Sequence, residues 1–174
     1  MDDQDLETGA GEAMMKVEQL RELVVRPVLQ ELNMYSEAAE NLVLGTAAQE
    51  SLLGTFIKQY PTGPAMGIYQ MEPATHGDIW DNYLAYNDEL SSQVRGFASQ
   101  HLFTRNPHNE LVTNLFYSTA MCRLHYRRVK APLPSADNVE GLAHYWKQYY
   151  NTPKGKGRVI EFIDNYHAMV LGSG

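Results

Sequence analysis

The chain carries a single cysteine, Cys122. That scarcity excludes an internal disulfide and any zinc site built on paired cysteines, and the apolar neighbours of Cys122 mark its thiol as a small buried hydrophobe. Basic residues are also few: 14 Lys and Arg stand against 21 Asp and Glu, a formal net charge of −7. Neutralising nucleic-acid phosphates requires an excess of Lys and Arg. The one local basic run, Arg123-Leu124-His125-Tyr126-Arg127-Arg128-Val129-Lys130, reads as a solvated helix end favoured by the helix dipole. No nucleic-acid partner is expected. No apolar run is long enough to span a bilayer, and the first residues, Met1-Asp2-Asp3-Gln4-Asp5-Leu6-Glu7, are acidic where a secretory signal would be basic and then apolar. The expectation is no membrane partner, with any action outside the cytoplasm depending on another component for delivery.

Metal and phosphate chemistry are equally thin. The six histidines, His76, His101, His108, His125, His144 and His167, fall in no metal-ligand spacing and read as structural or surface groups. The glycines of Lys154-Gly155-Lys156-Gly157-Arg158 lack the spacing and the preceding strand of a phosphate loop and read as a turn. No metal and no cofactor are expected.

What is present is helical periodicity. A length of 174 residues suits one domain with one sizeable core. Residues 1–12 are acidic, contain glycine and show no periodicity, so they read as a mobile leader, with a single domain over residues 13–174. Met14, Val17, Leu20, Leu23, Val24, Val28 and Leu32 predict a first helix, kinked or broken at Pro27. Ser36 predicts the N-cap of a second, with Glu37 and Glu40 in its first turn and Gly54 as its stop. Residues 55–71 hold Thr62-Gly63-Pro64 and Gly67 and predict a loop or short irregular β excursion. Pro73, Thr75 and Asp78 mark the start of the next helix, with Thr75 and Asp78 offering its cap, and Asp88 predicts the cap of the one after. Asn106-Pro107 opens a long central helix reaching Pro132, Asp137 with Glu140 caps another, and a last helix starts near Gly157. The fold class is mostly α.

Within the second helix Glu50 is the residue out of place. It lines up with Val43, Thr46, Ala47 and Leu53 on a face that should be buried. Desolvation and the negative end of the helix dipole both disfavour its charged form, so its pKa should rise toward neutrality, as a proton donor requires. The alternative is a structural carboxylate that bends into solvent or pairs with an arginine.

The order of the following residues bears on that choice. Glu50-Ser51, then Gly63-Pro64-Ala65-Met66-Gly67-Ile68-Tyr69-Gln70-Met71-Glu72-Pro73-Ala74-Thr75, resembles the lytic transglycosylase family of the goose-type-lysozyme-like superfamily. That family carries a Glu-Ser pair at a helix end and a Gly-Ala-x-Gly-Leu-Met-Gln segment running into Pro-x-Thr. Leu142-Ala143-His144-Tyr145-Trp146-Lys147-Gln148-Tyr149-Tyr150-Asn151, leading to Gly155-Lys156-Gly157-Arg158-Val159, looks like its Ala-Tyr-Asn-Ala-Gly-Pro-Gly-x-Val element. Here Tyr69 stands where the family commonly has Met, and Thr152-Pro153-Lys154 replaces the compact Ala-Gly-Pro turn.

The resemblance implies a lysozyme-like helical domain that cleaves the β-1,4 bond between N-acetylmuramic acid and N-acetylglucosamine in peptidoglycan. It implies a 1,6-anhydro product, made with Glu50 as the single acid and base. Ser51 would orient a carboxylate or contact the substrate N-acetyl group. Met66, Tyr69, Gln70 and Met71 would line the groove, and Tyr150 and Asn151 would approach from the C-terminal helices, with Tyr145 or Tyr149 as alternatives to Tyr150. Peptidoglycan strands are the expected partner, together with other virion proteins if the chain is phage-encoded and delivered on a particle. A lysozyme-type hydrolase is the alternative enzyme, and a virion structural protein with an inactive lysozyme-like fold is the alternative of another class.

Overall fold

The protein, described by a computed structural model over residues 15–172, is built mostly from helices. The leader expected over residues 1–12 lies outside the described residues. Among the described residues, strand pairing is confined to two isolated antiparallel bridges, Lys58 with Met66 and Met66 with Met71. The excursion after the Glu50 helix is therefore irregular rather than sheet-forming.

Pro27 does not break the first helix. The backbone runs α over Val17–Leu20, π over Arg21–Val25 and α over Arg26–Glu31. The Arg26 amide donates to the Arg21 carbonyl, five residues back. This widened turn lies directly ahead of a residue that has no N–H and whose ring crowds the carbonyl four positions before it.

The Glu50 helix spans Glu37–Ser51, and Ser36 Oγ accepts from the Ala39 amide at 3.1 Å. Every residue from Ala39 to Ala48 is buried, the pattern of a helix surrounded by protein rather than laid on a surface. It packs against the central helix, Leu115–Arg127, and against the two C-terminal helices. Glu40 does more than face the dipole. Its carboxylate is 1% exposed and binds Arg21 at 2.7 Å and Arg26 at 2.8 Å, which fastens the first helix to this one. Gly45 gives the last helix its close approach, since a Cβ there would lie 2.4 Å from the Phe162 ring.

The long helix predicted from Asn106-Pro107 is three pieces: a 3-10 turn at Pro107–Asn109, a single turn at Glu110–Thr113, and the central helix. Asn114 divides the last two with φ −128° and ψ 101°. Its Oδ1 accepts from the Tyr117 amide at 3.0 Å, while its Nδ2 donates to the Phe97 carbonyl at 2.7 Å and to Glu110 Oε2 at 2.9 Å. An asparagine with this many outside partners competes successfully with the helical ladder. Other caps also differ from expectation. Asn87 and Asn138, not Asp88 and Asp137, accept the first-turn amides. The helix Pro73–Asn82 opens at Pro73, one of the three residues marking its start, so Thr75 lies inside it rather than capping it, and a short turn at Leu102–Arg105 adds an element without a sequence signal of its own.

The C-terminal pair comprises Val139–Trp146, continued as π helix over Lys147–Asn151, and Val159–Asn165, continued as π helix over Tyr166–Val170. The buried apolar side chains form one continuous cluster. Among the described residues no helix is long and apolar enough to cross a membrane.

Replacing Gly45 by Ala tests the tight helix contact. Overpacking at a buried ring costs about 2 kcal/mol, so Gly45→Ala should lower Tm by roughly 5 °C in a chain of this size. An unchanged Tm in a calorimetric scan would mean that the last helix does not approach so closely.

Candidate active site

The site begins where the Glu50 helix ends. Ser51 is its last helical residue, and Leu52, Leu53 and Gly54 then take φ values of 51°, 52° and 85°. The stop thus comes before Gly54, on two leucines. A left-handed conformation costs roughly 1–2 kcal/mol for each such residue, so packing and hydrogen bonds must hold it. Leu53 is 2% exposed, and the Leu52 and Leu53 amides donate back to the Ala48 and Ala47 carbonyls, both at 3.1 Å.

Ser51 completes the lock. Its hydroxyl donates to the Ile68 carbonyl at 2.6 Å, accepts from the Gly54 amide at 2.9 Å, and lies 3.1 Å from the Ala47 carbonyl. With no exposed surface, Ser51 touches neither a substrate nor a carboxylate, contrary to the role implied for it. It is a positioning residue for the helix end and for the loop of residues 67–70.

Beside this lock lies an open groove of about 780 Å³. Glu50, Gln70, Met71, Tyr150 and Asn151 line it together, joined by Phe56, Tyr60, Glu72, His125, Lys154 and Lys156. Two expected members are elsewhere. Tyr69 is 1% exposed, and its hydroxyl pairs with Thr119 Oγ1 at 2.8 Å inside the core. Met66 packs against the core and is absent from the groove lining. The choice among the tyrosines falls on Tyr150, because the Tyr145 hydroxyl donates to the Ala131 carbonyl at 2.9 Å and Tyr149 packs edge-on against the Tyr145 ring.

Glu50 itself is half-buried at the groove, and burial raises its pKa to about 7. One interaction opposes the rise: Trp146 Nε1 donates to Glu50 Oε1 at 2.9 Å. An indole can only donate. It therefore fixes Oε1 as an acceptor and leaves Oε2 to carry a proton. Trp146 is a site residue that the sequence reading named only as part of the Leu142–Asn151 motif and gave no role. The available clue was its position four residues before Tyr150, on the same side of the helix.

Tyr150 is tied rather than free. Its hydroxyl donates to the Tyr69 carbonyl at 2.6 Å, its ring stacks on Tyr126, and burial raises its pKa well above the ordinary value. It remains a neutral phenol with its proton directed at the loop, so charge stabilisation by that hydroxyl is not available in this geometry. His125 is a second groove residue that spacing had consigned to a structural role. Arg128 Nη2 donates to its Nδ1 at 2.9 Å, and burial together with the Arg128 charge lowers its pKa to about 4. Two arginines of that run are structurally engaged, Arg123 donating to the Met34 carbonyl at 3.2 Å and Arg128 pairing with Asp78 at 2.6 Å, while Arg127 and Lys130 are exposed. Among the described residues no group of three His, Cys, Asp or Glu side chains is arranged to hold a metal ion.

Compared with known proteins, the chain matches no family model, no curated protein and no solved structure significantly.

The raised pKa of Glu50 has a signed consequence. The neutral carboxyl is tolerated in the fold, whereas the charged form is penalised, so stability is full below pH ~4.5 and declines until the pH passes about 7. Glu50→Gln, whose amide oxygen still accepts the indole proton, should match the native Tm at pH 4. At pH 8 it should exceed it, by an amount reflecting roughly 3 kcal/mol. A lower Tm for the variant at pH 8 would identify Glu50 as a structural charge and remove it from candidacy.

Proposed function

We propose that the protein is a peptidoglycan lytic transglycosylase with the lysozyme-like fold of the goose-type superfamily. The observation that carries this reading is the state of Glu50: a carboxyl with a pKa of about 7, held by a neutral donor in an open groove with Gln70, Tyr150 and Asn151 from the family-like motifs. A group with that pKa is populated in both protonation states near neutral pH, as general acid–base chemistry requires.

In the proposed reaction a glycan strand lies along the groove with the bond between N-acetylmuramic acid and N-acetylglucosamine at Glu50. The proton on Oε2 passes to the glycosidic oxygen as the C1–O bond breaks, leaving oxocarbenium character on the muramyl ring. The resulting carboxylate then takes the proton of the muramyl 6-hydroxyl while its oxygen bonds to C1, closing the 1,6-anhydro ring and restoring neutral Glu50. Trp146 keeps the carboxyl oriented throughout. Gln70 and Met71 offer one groove wall, and the exposed rings of Phe56 and Tyr60, stacked with centroids 5.6 Å apart, offer apolar faces to sugar rings.

A hydrolase reading is favoured by one feature: Glu72 lines the same groove and supplies the second carboxylate with which most glycosidases activate water or form a covalent intermediate.

Mass analysis of products released from purified peptidoglycan separates the readings. A transglycosylase releases muropeptides lighter by one water than hydrolysis products, and Glu50→Gln should release none. Products carrying the added water would establish a hydrolase, and no product from the native protein would remove the enzymatic reading. For the active native protein, kcat/KM should fall on the alkaline side with a pKa near 7, set by Glu50. Trp146→Phe, which deletes the one hydrogen bond that lowers this pKa, should move that limb to higher pH. A limb that stays in place would mean that another group controls it.

A further inference from the structure

The turn between the two C-terminal helices is anchored from within. Lys147 Nζ donates to Asn151 Oδ1 at 2.7 Å, to the Gly155 carbonyl at 2.7 Å and to the Gly157 carbonyl at 2.6 Å. All three ammonium protons are thereby used, and the strand of chain across the top of the helix is drawn onto its side. The glycines are required for this. A Cβ on Gly155 would lie 2.5 Å from Asn151 Oδ1, and one on Gly157 would lie 2.6 Å from the Trp146 ring. The turn therefore rests on the same indole that holds Glu50, so its position and that of the acid are mechanically linked.

This mount displays two side chains. Lys154 and Lys156 are exposed, line the groove, and form no ion pair among the described residues. Arg158, the next cation, is instead held by Glu161 at 3.1 Å. A pair of unpaired ammonium groups is notable in a chain of net charge −7. Charges more than about a Debye length away, ~8 Å at physiological salt, are largely screened, so these two lysines set the potential at their own edge.

We propose that Lys154 and Lys156 form a carboxylate-recognising edge that selects glycan strands bearing anionic substituents, the stem peptides above all. This rests on the peptidoglycan reading above. Peptidoglycan presents two sources of carboxylate beside the sugar: the peptides themselves, and the lactyl group once its peptide has been removed. Ammonium groups on a rigid turn beside the acid would draw such substituents alongside the groove and hold the strand in register.

Binding measured on catalytically silent Glu50→Gln protein tests this without interference from turnover. Three soluble probes are compared: uncrosslinked peptide-bearing strands, the same strands after amidase removal of the peptides, and neutral chitin oligosaccharides. Adding Lys154→Gln and Lys156→Gln should weaken binding of peptide-bearing strands about fivefold, as two solvent-screened charge contacts imply. It should also abolish the salt dependence of that binding and leave the chitin Kd unchanged. An equal loss on peptide-free strands would support a carboxylate edge reading the lactyl group instead. A peptide-strand Kd within twofold of the parent, or an equal loss on neutral chitin, overturns the inference. In either case the enzymatic reading stands as long as the native protein releases muropeptides. If the native protein releases none and Glu50→Gln binds no probe, both fail together.

Discussion

The hydroxyl of Ser51 binds the carbonyl of Ile68, 17 positions away in the chain, and the geometry of the groove depends on that contact. By accepting from the Gly54 amide as well, it closes the helix immediately after Glu50 and stabilises the left-handed turn that follows. The neighbouring carbonyl, that of Tyr69, is taken by the Tyr150 hydroxyl from the C-terminal side. Two consecutive carbonyls of one loop are thus held by two hydroxyls from two different helices. Gly67 seats the same loop from below, since a Cβ there would collide with the Leu111 carbonyl at 1.8 Å. The Glu-Ser pair, the loop ending in Gln70, and the Tyr-Asn pair are therefore parts of one junction. Their joint occurrence in sequence has a physical reason: each holds another in place, and Glu50 stands beside all of them.

Three acidic side chains of the interior show why Glu50 differs from ordinary buried carboxylates. Glu40 is met by two guanidinium groups. Glu110 accepts from the Ser99 amide and hydroxyl and from Asn114 Nδ2. Glu50 has one neutral N–H. Nearby hydroxyls offer it nothing further: Thr46 donates to the Leu42 carbonyl and receives the Tyr126 proton, and Tyr69 pairs with Thr119. A fold that surrounds Glu40 and Glu110 with several donors each leaves this carboxyl under-solvated at a groove open to ligand. Such selective withholding of partners is how a site keeps a proton at neutral pH.

How much of this was legible in the sequence depended on the range of the interactions involved. Helix faces and turn residues are local signals, so the Glu50 helix, its Ser36 cap and the irregular segment after it could be read from spacing. Pro27 and Asn114 departed from their spacing in opposite directions, the first without the break it allowed and the second with a break that periodicity hid. A π turn absorbed the proline, while outside partners at Phe97 and Glu110 pulled the asparagine out of a helix that periodicity continued through it. Motif order brought Glu50, Gln70, Met71, Tyr150 and Asn151 to one groove but misjudged Ser51, Tyr69 and Met66, because adjacency in a motif does not say which side chains face inward. Trp146 offered only its place one turn before Tyr150 as a local clue, since its bond to Glu50 spans 96 positions. The same holds for the Lys147 anchor, which only the folded turn makes visible.

The withheld partners also explain how one carboxyl could serve both halves of the proposed reaction. After Glu50 gives up its proton, it is a carboxylate in a place that disfavours charge, with only the indole N–H to stabilise it. Stronger donors there would make a better acid and a poorer base, since each would lower the pKa and reduce the drive to recover a proton. With a pKa of about 7, the group is acidic enough to assist departure of the leaving oxygen and basic enough to draw the proton from the attacking 6-hydroxyl. In the proposed reaction the sugar supplies the nucleophile, and the lack of a cation paired directly with Glu50 among the described residues becomes a requirement of the chemistry: an arginine bonded to it would stabilise the carboxylate and leave the second step without its base.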